Sequence, residues 1–130
     1  MLKYLFNKLV RDKIPARMVQ EGVKINSSAL SNQEYIKALK LKIVEESKEV
    51  QDAASLDELK VELADVLEVV HAIAEASNIT IDEIESERLI KRSINGRFTA
   101  DYYINYIELK ENNHKVINYL NSKNKYYVNK

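Results

Sequence analysis

Between residues 45 and 66 the chain reads EESKEVQDAASLDELKVELADV, and four of its acids come at paired spacing: Glu46 and Glu49, then Glu62 and Asp65. Acids three positions apart are neighbours on the surface of a helix, so each pair offers two carboxylates in a common direction. Converging carboxylates repel one another, and a hard divalent cation with oxygen ligands, Mg²⁺ or Mn²⁺, is the species that would hold them together. The same spacing also suits a solvated helix surface whose acids are balanced by lysines one turn away. Which description applies depends on the elements that carry the acids.

Those elements are legible as helices. With two Gly and one Pro in 130 residues, the chain lacks the punctuation of a many-stranded protein. Ser31–Glu34, Ser55–Glu58 and Thr80–Glu83 each place a hydroxyl three residues before a glutamate, the pattern of a capping box. They predict helices over about 32–54, 56–77 and 81–95. Asn78 and the Asn95-Gly96 pair stand at the two later ends, where a residue tolerating positive φ is needed. Pro15 opens a shorter helix, 15–21, that Gly22 ends. The stretch 98–109 (FTADYYINYIEL) suits a strand or extended arm, and Glu111 to Ser122 a last helix. The fold class expected is therefore all-α. It is an antiparallel bundle built on a long helical hairpin, with extended segments on the N-terminal side and after residue 97.

The hairpin sets the geometry of the acids. Tyr35, Ile36, Leu39, Ile43 and Val50 form one face of the first long helix, and Glu46 falls near the middle of that stripe. Glu49 lies at its edge. On the second long helix the predicted face is Leu59, Leu63, Val66, Leu67, Val70, Ile73 and Ala74, with Glu62 flanking it and Asp65 one step further round, beside Val69. A charged group within an apolar stripe is costly unless compensated, and Lys42, four residues before Glu46, is one available partner. A tight turn at Ser55 makes the two helices antiparallel, which brings both acid pairs to matching height on facing helices. This brings the metal description level with the solvated one.

A second cluster lies upstream. NKLVRDKIP, residues 7 to 15, gathers Lys8, Arg11 and Lys13 around Asp12 just before a helix, a composition suited to phosphate. Lys91, Arg92 and Arg97 form another basic group, at a helix end where the dipole alone favours cations. His71 and His114 are isolated, no Ser/His/Asp arrangement is evident, and the absence of Cys excludes thiol catalysis, zinc-thiolate sites and disulfides.

In this order, KLVRDKIP, then EExxE, a short gap, ExxD, and a downstream basic helix ending in Gly-x-Phe, the chain resembles the MazG family of all-α NTP pyrophosphatases, closest to the phosphoribosyl-ATP pyrophosphohydrolase-like branch. The resemblance covers about residues 5 to 98. It implies hydrolysis of a (d)NTP or related nucleotide between the α and β phosphates, giving a monophosphate and pyrophosphate, as a house-cleaning activity. It carries metal binding, by Mg²⁺ or Mn²⁺, onto Glu46, Glu49, Glu62 and Asp65. It assigns substrate contact to Lys8, Arg11, Asp12, Lys13, Lys91 and Arg92, and leaves proton transfer to Glu45 or a ligand carboxylate such as Glu46. It also implies a homo-oligomer, dimer or tetramer. Two further readings stay open: a phosphoribosyl-ATP hydrolase of histidine biosynthesis, and a non-catalytic helical protein that binds nucleotide or a partner. Where the family stretch is Arg-Gly-Gly-Phe, this chain has Asn95-Gly96-Arg97-Phe98.

Bulk properties bound the rest. A net charge of zero disfavours a stable nucleic-acid partner. No apolar run reaches the roughly 18 residues of a membrane span, and the N-terminus lacks the pattern of a signal peptide, so a cytoplasmic protein is expected. The domain expected is 1–109, followed by a basic Asn/Lys/Tyr-rich extension, 110–130, with five Lys and one Glu.

Overall fold

The computed structural model describes residues 1–123. Five helices occur among them: α1 (Ile14–Gln20), α2 (Asn32–Asp52), α3 (Leu56–Ala76), α4 (Ile81–Asn95) and α5 (His114–Ser122). No strand forms among the described residues, and the fold is all-α. No helix there is long and apolar enough to cross a membrane. The chain divides into two compact units, one spanning Met1–Ile94 and one beginning at Asn95. The last seven residues of the basic extension, 124–130, lie outside the described residues.

The helix starts follow from their caps. The Ser31 hydroxyl accepts from the Glu34 amide at 3.2 Å, and Ser55 accepts from Glu58 at 3.1 Å. Thr80 completes the reciprocal arrangement: its hydroxyl accepts from the Glu83 amide at 3.1 Å while Glu83 accepts from the Thr80 amide at 2.7 Å. At Ser55 the glutamate reaches one residue further back, and the Ala54 amide donates to Glu58 at 2.8 Å. The helix ends are equally specific. After α1 the Val23 amide donates to Met18 and the Gly22 amide to Val19, with Gly22 at φ 83°. After α3 the Ile79 and Asn78 amides repeat the pattern onto Ala74 and Glu75, with Asn78 at φ 55°.

The α2–α3 hairpin is the principal helix packing among the described residues. Its turn is Ala53, Ala54 and Ser55, so α2 stops two residues before the expected end. Ala53 has ψ 125°, which breaks the helical path and lets Glu58 take the Ala54 amide instead. Because Ser55 both starts α3 and closes this turn, Ser55→Ala is expected to cost about 1 kcal/mol of unfolding free energy. A urea midpoint unchanged from the parent chain would contradict that role.

The core of the hairpin is small. Leu39 on α2, with Val69 and Ala74 on α3, are buried, and Tyr35, Ile36, Ile43 and Val50 line the expected face of α2 half-covered. The covered face of α3 differs from the expectation. Val69 is only 7% exposed, whereas Leu63 and Leu67 are 47% and 60% exposed. Apolar residues occupy most of the circumference of α3, so periodicity alone left the facing stripe open by about one position. Leu59, Val66, Val70, Ile73 and Ala74 are covered as expected, and the covered stripe extends to Glu62 and Val69 on one side, with Asp65 one turn before Val69. This shift carries both α3 acids from the flank of the apolar face into its half-buried border.

Candidate metal centre

Glu46 comes from the middle of α2, and Glu62 and Asp65 from the second and third turns of α3. One carboxylate oxygen from each lies within 4.8 Å of the others, and all three residues are half-buried. The hairpin turn produces this meeting. Glu46 is nine residues before Ser55 and Asp65 ten after it, so antiparallel helices bring them to one level. Three oxygens so close suit a hard divalent cation. Glu49, the fourth acid of the expected set, is not part of this convergence. It is exposed, and it acts on the cluster through its charge on Glu62.

The electrostatics of the cluster are unbalanced. Partial desolvation, then the negative charges of Glu49, Asp65, Glu46 and Glu58, raise the Glu62 carboxyl above its ordinary value. A carboxyl whose folded pKa is raised disfavours the fold once pH exceeds that pKa, and the penalty fades as pH falls toward the ordinary carboxylate range. Glu62→Gln is therefore expected to raise the melting temperature in EDTA at pH 7 and to show a smaller gain near pH 5. Melting curves of the two proteins with EDTA at both pH values measure this. An equal or lower melting temperature for the variant at pH 7 would show that Glu62 carries no such burden.

Cations meet the cluster from two directions. Lys42, one turn before Glu46, reaches it at 3.4 Å as its position suggested, and also holds Glu45 at 3.2 Å. The other cations come from far away in sequence. Arg11 Nη2 donates to Asp65 Oδ1 at 2.6 Å, and Lys8 Nζ donates to Glu45 Oε1 at 3.2 Å. Desolvation would raise the Glu45 carboxyl, but hydrogen bonds and charge from Lys8 and Lys42 outweigh it and hold the group below its ordinary value. Asn7, at φ 47°, takes a left-handed conformation that asparagine tolerates, immediately before Lys8.

The remaining expected residues are not drawn in. Asp12 and Lys13 are exposed; Lys13 stands at the N-cap of α1 and makes no side-chain cap bond. On α4, Lys91 is exposed and Arg92 half-buried, and neither forms an ion pair among the described residues. Their neighbour Arg88 pairs instead with Glu85 at 2.8 Å. The long-range partners of Lys8 and Arg11 are what sequence reasoning missed. KLVRDKIP marked these residues as cationic, but no local spacing ties residue 11 to residue 65.

No family model, curated protein or solved structure matches this chain.

Proposed function

We propose that the chain is a Mg²⁺- or Mn²⁺-dependent nucleotide pyrophosphohydrolase that cleaves (d)NTPs, or a related nucleotide, between the α and β phosphates. The observation that carries this reading is the convergence of Glu46, Glu62 and Asp65 beside an N-terminal cationic segment. The resemblance of KLVRDKIP, EExxE and ExxD to the MazG family supplies the reaction type. A cation held by these carboxylates would offset charge on the phosphate oxygens and lower the pKa of the attacking water.

The chain's own groups take complementary parts. Glu46, Glu62 and Asp65 hold the cation from two rigid helices, and Glu49 adds negative charge at the border. Arg11, Lys8 and Lys13 face the phosphates, where a guanidinium gives paired hydrogen bonds to oxygen and an ammonium a point charge. Asp12, Lys91 and Arg92 are further substrate contacts in this reading, carried over from the resemblance alone. Glu45 is a weak proton acceptor between two lysines, so in this reading it anchors Lys8 beside the cluster.

The working form we propose is a homo-oligomer. Leu41 and Val44 on α2, with Leu56, Leu63 and Leu67 on α3, are exposed, and the buried core is small for a chain of this length. Light scattering on the eluting protein measures its mass, and a monomer throughout the micromolar range would remove the oligomer from the proposal.

A panel of NTPs and dNTPs with Mg²⁺, together with phosphoribosyl-ATP, tests the activity. Pyrophosphate and the matching monophosphate should appear in equal amounts. Orthophosphate as the first product, or no product from any substrate with folded protein, would overturn the proposal. Turnover confined to phosphoribosyl-ATP would place the substrate in histidine biosynthesis.

A further inference from the structure

We propose that Arg11 is a built-in competitor for the candidate cation: the two compete for Asp65, and cation binding releases the Arg11 side chain. The inference rests on the metal reading of Glu46, Glu62 and Asp65, and concerns what the chain itself places there.

Two ties join the segment from Asn7 to Lys13 to the hairpin, one at an acid of the cluster and one at Glu45 beside it. Arg11 donates directly to Asp65 at 2.6 Å across 54 positions of sequence. Lys8 pairs with Glu45 at 3.2 Å; Glu45 pairs with Lys42 at 3.2 Å, and Lys42 with Glu46 at 3.4 Å. The segment thus supplies one positive charge straight to the cluster and a second through an alternating relay. Asp65 has two uses for one negative charge. It offers an oxygen to the convergence with Glu46 and Glu62, and it accepts from the Arg11 guanidinium.

A divalent cation among the three oxygens would draw the Asp65 charge toward itself and repel the guanidinium next to it. The side chain of Arg11 is 58% exposed, so its pair with Asp65 is screened by water and yields readily. Lys42 is better placed to stay, because its side chain is largely covered and bridges two acids. The exchange is therefore selective. The cation displaces the exposed arginine and leaves the covered lysine. A freed Arg11 stands beside the newly filled site with its donors turned to water, ready for an anionic ligand of that cation. Loading of the cation and presentation of the arginine become one event.

Mn²⁺ alone is the probe. Its binding to the full chain, read from the loss of the free-ion paramagnetic resonance signal at low ionic strength, is compared for the parent, Arg11→Gln and Arg11→Lys. Removing the competitor should tighten Mn²⁺ binding about two- to fivefold in Arg11→Gln, with Arg11→Lys closer to the parent. Hydrogen exchange supplies a second reading that a purely structural role would not give. Mn²⁺ should speed exchange of the Ile14 amide, which donates to the Arg11 carbonyl at 3.0 Å, in the parent, whereas in Arg11→Gln that exchange should already be fast and unresponsive. Equal or weaker Mn²⁺ binding by Arg11→Gln, with the parent still binding, would overturn the competition and leave the metal centre standing. Absence of Mn²⁺ binding by all three proteins would overturn both.

Discussion

Pyrophosphate release is expected to fall about a hundredfold or more in Glu46→Gln and in Asp65→Asn, while the helical circular dichroism spectrum stays that of the parent. The scale is that of removing one group that stabilises charge in a transition state. Each substitution keeps the shape of the side chain and removes the ionised oxygen, so it tests charge and coordination rather than packing. The two variants should differ in one respect. Asp65→Asn also deprives Arg11 of its partner, whereas Glu46→Gln leaves that pair in place and weakens only the exchange with Lys42. Steady-state rates with the preferred nucleotide, at saturating Mg²⁺, measure the loss. Turnover within a few-fold of the parent in both variants would remove Glu46 and Asp65 from the reaction.

The second large effect concerns the hairpin itself. Leu39 is 5% exposed, one of three buried apolar residues among those described. Leu39→Ala should lower the unfolding free energy by about 2–5 kcal/mol, the range for truncating a buried leucine. With so few buried side chains to share the loss, the hairpin is expected to melt at markedly lower temperature. The exposed Leu41, two residues along the same helix, is the internal comparison: in the isolated chain Leu41→Ala should change stability by no more than about 0.5 kcal/mol. Denaturant titrations of the two variants, at a concentration where the protein is monomeric, decide the matter. Equal losses would mean that the two sites are covered alike in solution. A loss at Leu41 that grows with protein concentration would instead place Leu41 in the subunit contact proposed above.

Local chemistry was legible without the structure. Ser31, Ser55 and Thr80 announced three helix starts because a hydroxyl cap and a glutamate three residues on satisfy amides within a single turn. Gly22, Asn78 and Gly96 announced the ends because positive φ is a property of one residue. The meeting of Glu46 with Glu62 and Asp65 was also within reach, since a short turn converts sequence distance from Ser55 into height along the hairpin. Lys42 beside Glu46 followed from a spacing of four.

What only the tertiary structure decided involves distance or rotation that no short spacing encodes. The facing stripe of α3 turned by about one position, burying Val69 in place of Leu63 and Leu67, because a helix apolar on most sides takes its orientation from its neighbour. Glu49, at the edge of the α2 face, is exposed and falls outside the convergence. The pairs Arg11–Asp65 and Lys8–Glu45 depend on where the chain lies after α1 has been placed, 37 and more positions away. By itself the sequence determined the helices, their caps and the charges they carry. The fold determined which of those charges meet, because Coulomb attraction acts through space while the code for helices is read within a turn or two.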